Sequence, residues 1–329
     1  MTREMGKVLV ETRGDVQEGI DTAYYAASEG RRLFGHTVPS ELPNKFNMAL
    51  RVPIGVAGIV TPWNFPMAIP TWKIFPALLC GNTVVFKPAS DTPATATALV
   101  EILLEAGVPE GVINIVHGGG SDVGNAIVEH PDVDLISFTG STEVGKKISK
   151  MGADTLKRIS LELGGKNAQI VMDDADLELA LDAVLWGAFG TTGQRCTATS
   201  RLIVHEKVYD EFMKMLVART EKLRLGDGLL DTTEVGPCVS ESQRNTVMEY
   251  VEIGKKEGAK LVCGGSIAKG SGLNDGWFHQ PTIFGDVLPT MRIAKEEIFG
   301  PVLSVIKVKS LDEGIKVLND TIYGLSSSV

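Results

Sequence analysis

The sequence predicts an α/β protein of two doubly wound domains, each a mostly parallel sheet covered by helices. Three observations carry this. Strand-like apolar runs alternate with helical segments along the chain. Two glycine-rich loops each follow an apolar run and precede a helix. The 329 residues exceed what one hydrophobic core usually fills, so roughly two domains are expected.

Taken in order, residues 15–33 read as a helix of mixed polarity that contains Tyr24, Tyr25, Ala26 and Ala27. Residues 34–47 are polar with two prolines and read as a loop or an exposed hairpin. The runs VAGIV (56–60) and TVVFK (83–87) read as strands flanking an apolar helix around Pro70–Leu79. A helix over 93–106 ends at Gly107, a natural C-cap. INIV (113–116), a glycine cluster and a helix near 122–130 follow, then LISF (135–138), a second glycine loop and a helix over 144–151. In the second half, AQIVM (168–172), RLIVH (201–205) and KLVCGG (260–265) read as strands, with helices over 176–190 and 208–223. The boundary is expected near Gly164–Gly165, and no internal repeat interrupts the pattern.

The formal charge is −9, which argues against nucleic acid as the main partner, because phosphate binding needs clustered Lys and Arg. Four cysteines point to a reducing compartment and leave each thiol to be judged on its chemistry. The opening MTREMGKVLVETRGD has no apolar core behind its basic residues, so no signal peptide is expected. No run of about 18 uncharged apolar residues occurs that would cross a membrane. A soluble, cytoplasmic protein is the expectation.

The first glycine loop, Gly118 to Gly124, resembles the dinucleotide fingerprint with one residue too many before its last glycine. The second, Gly140 to Lys147, meets the ATP P-loop pattern except at its end. There Lys147 replaces the Ser or Thr that would hold magnesium, which disfavours ATP hydrolysis. Either loop can offer backbone N–H groups to an anion at a helix start. Without a ligand they are two helix caps; two on successive βα turns favour a nucleotide.

Cys196 lies in a polar glycine turn, Gly193-Gln194-Arg195-Cys196-Thr197. Beside Arg195 its pKa would fall, giving a nucleophilic thiolate. The alternative, a small buried residue, fits Cys80 and Cys263 better. None of the five histidines is singled out as a base. Glu162 ends an apolar strand next to two glycines, and partial burial would raise its pKa toward that of a general base, whereas a solvated glutamate is the plain alternative. In Thr61-Pro62-Trp63-Asn64-Phe65-Pro66 two prolines fix the loop, so the Asn64 amide is held rigidly and suits an oxyanion. Alone, this stretch could equally be a turn.

Together TPWNFP (61–66), KPAS (87–90), FTGSTEVGK (138–146), LELGGKN (161–167), GQRC (193–196) and EEIFGPVL (296–303) resemble the aldehyde dehydrogenase superfamily, in family order over nearly the whole chain. The resemblance implies that Cys196 attacks an aldehyde carbon while the Asn64 side chain and the Cys196 backbone N–H hold the oxyanion. Hydride then passes to NAD or NADP, and Glu162 activates the water that hydrolyses the thioester. Lys73 lies where some members place a lysine of the proton-release path.

The resemblance also places the cofactor against the strand end at Ile59, Thr61, Pro62 and Trp63. It adds Gly120, and around the second loop Phe138, Gly140, Ser141 and Val144. Leu163 and Gly164 are also implied to contact the cofactor. Lys87 would bond the adenosine ribose, Glu297 the nicotinamide ribose, and Phe299 would support the ring. Many NAD-preferring relatives have Glu where this chain has Ser90. A small neutral side chain there removes the repulsion of a 2′-phosphate, so NADP is expected to be accepted. No metal is implied.

The implied domains are a dinucleotide-binding domain over 1–33 and 53–163, an oligomerisation hairpin over 34–52 and a catalytic domain over 164–329. Family members are longer at both ends, so a truncated chain is implied. The expected function is oxidation of an aldehyde, semialdehydes included, to a carboxylic acid, in a homodimer or homotetramer if the family's tail is present. The alternative is a truncated, catalytically silent fragment or oligomer subunit that retains a nucleotide pocket. Trp72 and Phe75 suggest an apolar channel wall, with core packing as the plain alternative for Trp72. Arg195 is a candidate to orient a substrate carboxylate.

Overall fold

The computed structural model describes residues 1–329. Its two compact units are Arg13–Leu163, and Gly164–Val329 together with Met1–Thr12. The sequence reading put residues 1–33 in the dinucleotide-binding half, and this is corrected for the first twelve. They join Gly164–Val329 because Met5 and Val8 are buried and the Leu9 N–H bonds the Gly228 carbonyl at 3.0 Å.

The chain opens with α1 (Thr2–Met5) and α2 (Leu9–Glu29), which starts earlier and stops sooner than expected. Strands β1 (His36–Pro39) and β2 (Phe46–Ala49) pair antiparallel, and all their residues are exposed. Next come β3 (Val56–Val60), α3 (Ala68–Leu79), β4 (Thr83–Lys87), α4 (Pro93–Glu105) and β5 (Ile113–Ile115). Gly107, at φ 98°, follows the last turn of α4 as its glycine stop. A π turn at Gly120–Gly124 leads into α5 (Asn125–Glu129), in place of one helix from 122. Then β6 (Leu135–Thr139), α6 (Thr142–Ala153) and β7 (Arg158–Glu162) complete this unit.

Its sheet runs β5-β4-β3-β6-β7, and every pair is parallel. The strand order reverses between β3 and β6. In open α/β sheets a ligand binds outside the carboxyl ends of the strands at such a switch point. The loops that leave β3 and β6 are 61–67 and Gly140–Ser141, so both sequence-predicted motifs fall there. Alternate strand residues enter different cores: Ile59 and Phe86 pack with Ile74 and Leu99, while Val60 and Val85 pack with Phe138 and Ile148.

The remaining elements are β8 (Asn167–Val171), α7 (Leu177–Phe189), β9 (Thr199–His205), α8 (Glu206–Thr220), α9 (Glu241–Lys256), β10 (Lys260–Cys263), β11 (Thr282–Gly285), α10 (Arg292–Lys295), β12 (Val302–Val308), α11 (Leu311–Asn319) and β13 (Ser327–Ser328). They form the sheet β10-β11-β12-β9-β8-β13, parallel except for β10–β11. Both faces are covered. Leu202 and Val204 of β9 pack with Phe212 and Leu303, and the intervening Ile203 packs with Phe284 and Val247. The neighbours β8, β9 and β12 are entered by Gly164–Lys166, Cys196–Ala198 and Glu297–Pro301 respectively. Three motif segments therefore arrive side by side at the amino ends of adjacent strands.

Candidate active site

Each unit contributes its own cluster. In Arg13–Leu163, the loop after β3 holds Asn64, which is 2 % exposed. The Thr61 N–H bonds the Lys87 carbonyl at 3.2 Å, and Asp15 Oδ1 accepts the Ala68 N–H at 2.7 Å, so the loop is fixed at both ends. Ile59 and Thr61 are buried, whereas Pro62 and Trp63 are half-buried.

Lys73, on α3, is buried and donates from Nζ to Ser137 Oγ on β6 at 3.1 Å. Burial lowers its pKa to about 8, against the opposing pull of the Glu162 carboxylate. Glu162 ends β7 opposite Thr139, and its carbonyl accepts the Gly140 N–H at 3.1 Å. Its side chain is exposed at the end of an edge strand, so of the two readings the solvated glutamate holds.

Lys87 is buried at the end of β4 and donates to the Pro88 and Gly118 carbonyls at 2.8 and 3.0 Å. Ser90 Oγ donates to the same Gly118 carbonyl at 3.3 Å. No acidic side chain thus occupies this corner through hydrogen bonds. In the first loop Gly120 is exposed with open space around it, so backbone can meet a ligand closely. In the second, a Cβ on Gly140 would strike the Phe138 ring, and Ser141 Oγ accepts the Val144 N–H at 3.3 Å as the cap of α6. Val144 is exposed and Leu163 half-buried. These features fit a dinucleotide: an open glycine loop, a capped helix start, and a buried lysine whose bonds are to carbonyls only.

In the other unit, Cys196 follows a strained turn. Thr191, Thr192 and Gly193 adopt φ of 51°, 59° and 68°, the left-handed region, which is a real outlier for β-branched threonine. Such residues cost on the order of 1–3 kcal/mol each and persist only where their surroundings over-determine them. Here the Glu11 carboxylate accepts the Thr191 N–H and hydroxyl at 2.9 Å, and Thr192 Oγ1 donates to the Gly236 carbonyl at 2.9 Å. Gly193 is obligatory, since a Cβ would run into the Gly300 carbonyl. On the far side, Asn167 Nδ2 donates to the Cys196 and Ala198 carbonyls at 2.7 and 3.0 Å. Cys196 itself is half-buried.

Arg195, the candidate for a substrate carboxylate, is buried. Its guanidinium is buried over the Trp186 ring at 3.9 Å and donates to the Trp186 and Gly187 carbonyls at 2.6 and 3.0 Å. Glu297 reaches back to the glycine pair: its Oε1 accepts the Gly165 N–H at 3.0 Å, and a Cβ on Gly164 would collide with its carboxylate. Burial raises the Glu297 pKa, opposed by the Gly165 N–H and by Lys166. Phe299 has φ 58°, and its carbonyl accepts Gln243 Nε2 at 2.8 Å. Gly165, Gly193 and Glu297–Gly300 together line a gap of only about 10 Å³.

The aromatic and thiol expectations divide. Trp72 is 38 % exposed and near Phe65, with ring centroids 6.5 Å apart, so it is not core. Phe75, read as a channel wall, packs instead against the core of its sheet. Cys80 is exposed at the end of α3, contrary to the buried reading, whereas Cys263 is buried. The sequence reading gave no part to Glu11, Thr191, Thr192 or Asn167. Two threonines before a glycine would have been the only signal, and Glu11 lies 180 residues from its partner.

The match to the aldehyde dehydrogenase family spans residues 1–329. The chain is 47 % identical over 328 residues to the alpha-ketoglutaric semialdehyde dehydrogenase of Bacillus subtilis (strain 168), covering all of this chain and 67 % of that protein. It is 48 % identical to the alpha-ketoglutarate semialdehyde dehydrogenase of Haloferax volcanii over 329 residues, covering all of this chain and 68 % of that protein. Among solved structures, betaine aldehyde dehydrogenase from Staphylococcus aureus in complex with NAD+ superposes with a TM-score of 0.98 at 40 % identity, over all of this chain and 65 % of that one. The chain thus spans about two thirds of the length of these relatives. With the strained cysteine turn, the glycine-held glutamate and the switch-point loops in place, the chain belongs to the aldehyde dehydrogenase family.

Proposed function

We propose that the protein oxidises an aldehyde to a carboxylic acid with NAD+ or NADP+, using Cys196 as nucleophile. The observation that carries this is the left-handed Thr191–Gly193 turn held by Glu11, which, with Asn167 on the Cys196 carbonyl, fixes a half-buried thiol instead of burying it. Sulfur adds to the aldehyde carbon, and the Asn64 amide and the Cys196 N–H stabilise the oxyanion. Bound nicotinamide supplies the hydride acceptor. Loss of hydride from the carbon leaves a thioester on Cys196. Glu162 takes a proton from the water that attacks it, and its exposure suits exchange of that proton with solvent. Lys73, near that carboxylate and lowered to about 8, can pass a proton on.

Glu297 would bind the nicotinamide ribose, Phe299 would support the ring, and Lys87 and Ser90 would meet the adenosine ribose. Since Ser90 carries no charge, a 2′-phosphate meets no repulsion there and NADP is accepted. The substrate class is a semialdehyde, supported by relatives that bear that name at 47 and 48 % identity. The hairpin β1–β2, exposed on every residue with Val38, Phe46 and Met48 outward, is the surface for pairing with further copies. Four free cysteines fit a cytoplasmic setting, and no helix is long and apolar enough to cross a membrane.

The test is absorbance at 340 nm with NAD+ and NADP+ separately, against aliphatic aldehydes and semialdehydes. Turnover on semialdehydes supports the reading. Cofactor binding without turnover favours a catalytically silent chain that retains a nucleotide pocket.

A further inference from the structure

Lys166 follows the glycine pair, and no step above uses it. Its side chain is 1 % exposed, and its Nζ makes no hydrogen bond. The charges acting on it are Arg201, Glu296 and Glu297. Arg201 is of like sign, and its hydrogen bonds go to the carbonyls of Lys166, Val317 and Leu318. Glu296 is already compensated: Arg292 donates to both its oxygens at 2.9 Å, and the Tyr250 hydroxyl donates at 2.8 Å. Glu297 forms no such ion pair. Its hydrogen bond is to the Gly165 N–H, one residue before the lysine.

We propose that Lys166 is a positioning residue for Glu297: its enclosed ammonium is the counter-charge that keeps the Glu297 carboxylate ionised and turned to accept the hydroxyls of the cofactor's ribose. This rests on the assignment of Glu297 to the nicotinamide ribose. A buried carboxylate without a cation tends to protonate, and a protonated acid loses acceptor capacity toward two hydroxyls. Burial and Arg201 push the Lys166 amine down to about 7, while Glu297 and Glu296 pull it up. Its charge is therefore present on the acid side of neutrality, where Glu297, raised by burial, needs it.

The experiment is NAD+ affinity by quenching of protein fluorescence between pH 5 and 9, for the unaltered chain, Lys166→Met and Glu297→Gln. Lys166→Met should move the acid limb of binding up by about one pH unit, a tenfold loss of affinity on that limb, and converge with the unaltered chain above pH 8. Glu297→Gln should bind more weakly and show no such limb. Lys166→Gln, polar at its head, is the second variant if the methionine fails to fold. Equal limbs in the lysine variants and the unaltered chain overturn the proposal but leave the ribose assignment standing. Unaltered affinity in Glu297→Gln overturns that assignment and the proposal with it.

Discussion

Lys73→Met should stabilise the protein at neutral pH and lose that advantage as pH rises. The lysine is buried on α3, and burial takes its pKa from 10.5 to about 8 in the fold. Between these values the unfolded chain binds the proton that the folded chain has released, so stability rises with pH. The penalty on the folded state is complete below pH 8 and gone above 10.5. Its size at pH 7 is about 3 kcal/mol, from 1.36 kcal/mol per unit. Losing the bond to Ser137 Oγ offsets about 1 kcal/mol at every pH. The variant should therefore exceed the unaltered chain by about 2 kcal/mol at pH 7 and fall slightly below it at pH 10.5. Urea unfolding followed by tryptophan fluorescence at both pH values reads the difference, and other titrating groups cancel in the comparison. A stability gap that stays constant from pH 7 to 10.5 would refute the reasoning. The same titration suits the proton relay proposed for Lys73, because amine and ammonium coexist near pH 8.

Cys196→Ala should abolish aldehyde oxidation and leave cofactor affinity within about twofold, since the bond from Asn167 to the cysteine's backbone carbonyl survives. Full residual oxidation would remove it as nucleophile. Glu162→Gln should slow deacylation by about 10²–10⁴-fold, so that an acyl-enzyme accumulates and is visible by mass spectrometry of the quenched protein. An unchanged deacylation rate would end its role as base. Gly193→Ala should cost about 1–3 kcal/mol or more, because alanine is disfavoured at φ 68° and its Cβ would displace the Gly300 carbonyl. A denaturation midpoint identical to that of the unaltered chain would contradict this.

What was legible in the sequence is what local periodicity and backbone chemistry impose. The strands over 56–60 and 83–87 and the helix ending before Gly107 carry their patterns within a few residues, and each formed as read. The second glycine loop was read from its residues, but its place at the switch point comes from the strand order β5-β4-β3-β6-β7, which local pattern does not give. Pairings over long separations escape such reading. Glu11 bonds Thr191, Glu297 bonds Gly165 from 132 residues away, and the first twelve residues join the second unit through contacts with no local signature. Exposure is equally invisible. Glu162 reads as apolar from its neighbours, yet it ends an edge strand and points to solvent. Arg195 reads as charged and available, yet its guanidinium is buried over the Trp186 ring and its Nη2 donates to two carbonyls. The site therefore combines two kinds of information. Motif residues carry the proposed reacting groups, and the restraint comes both from the distant Glu11 and from Asn167 inside a motif. The second kind is recognised only when three amino-terminal strand ends lie side by side, because restraint is a property of neighbours and not of residue type.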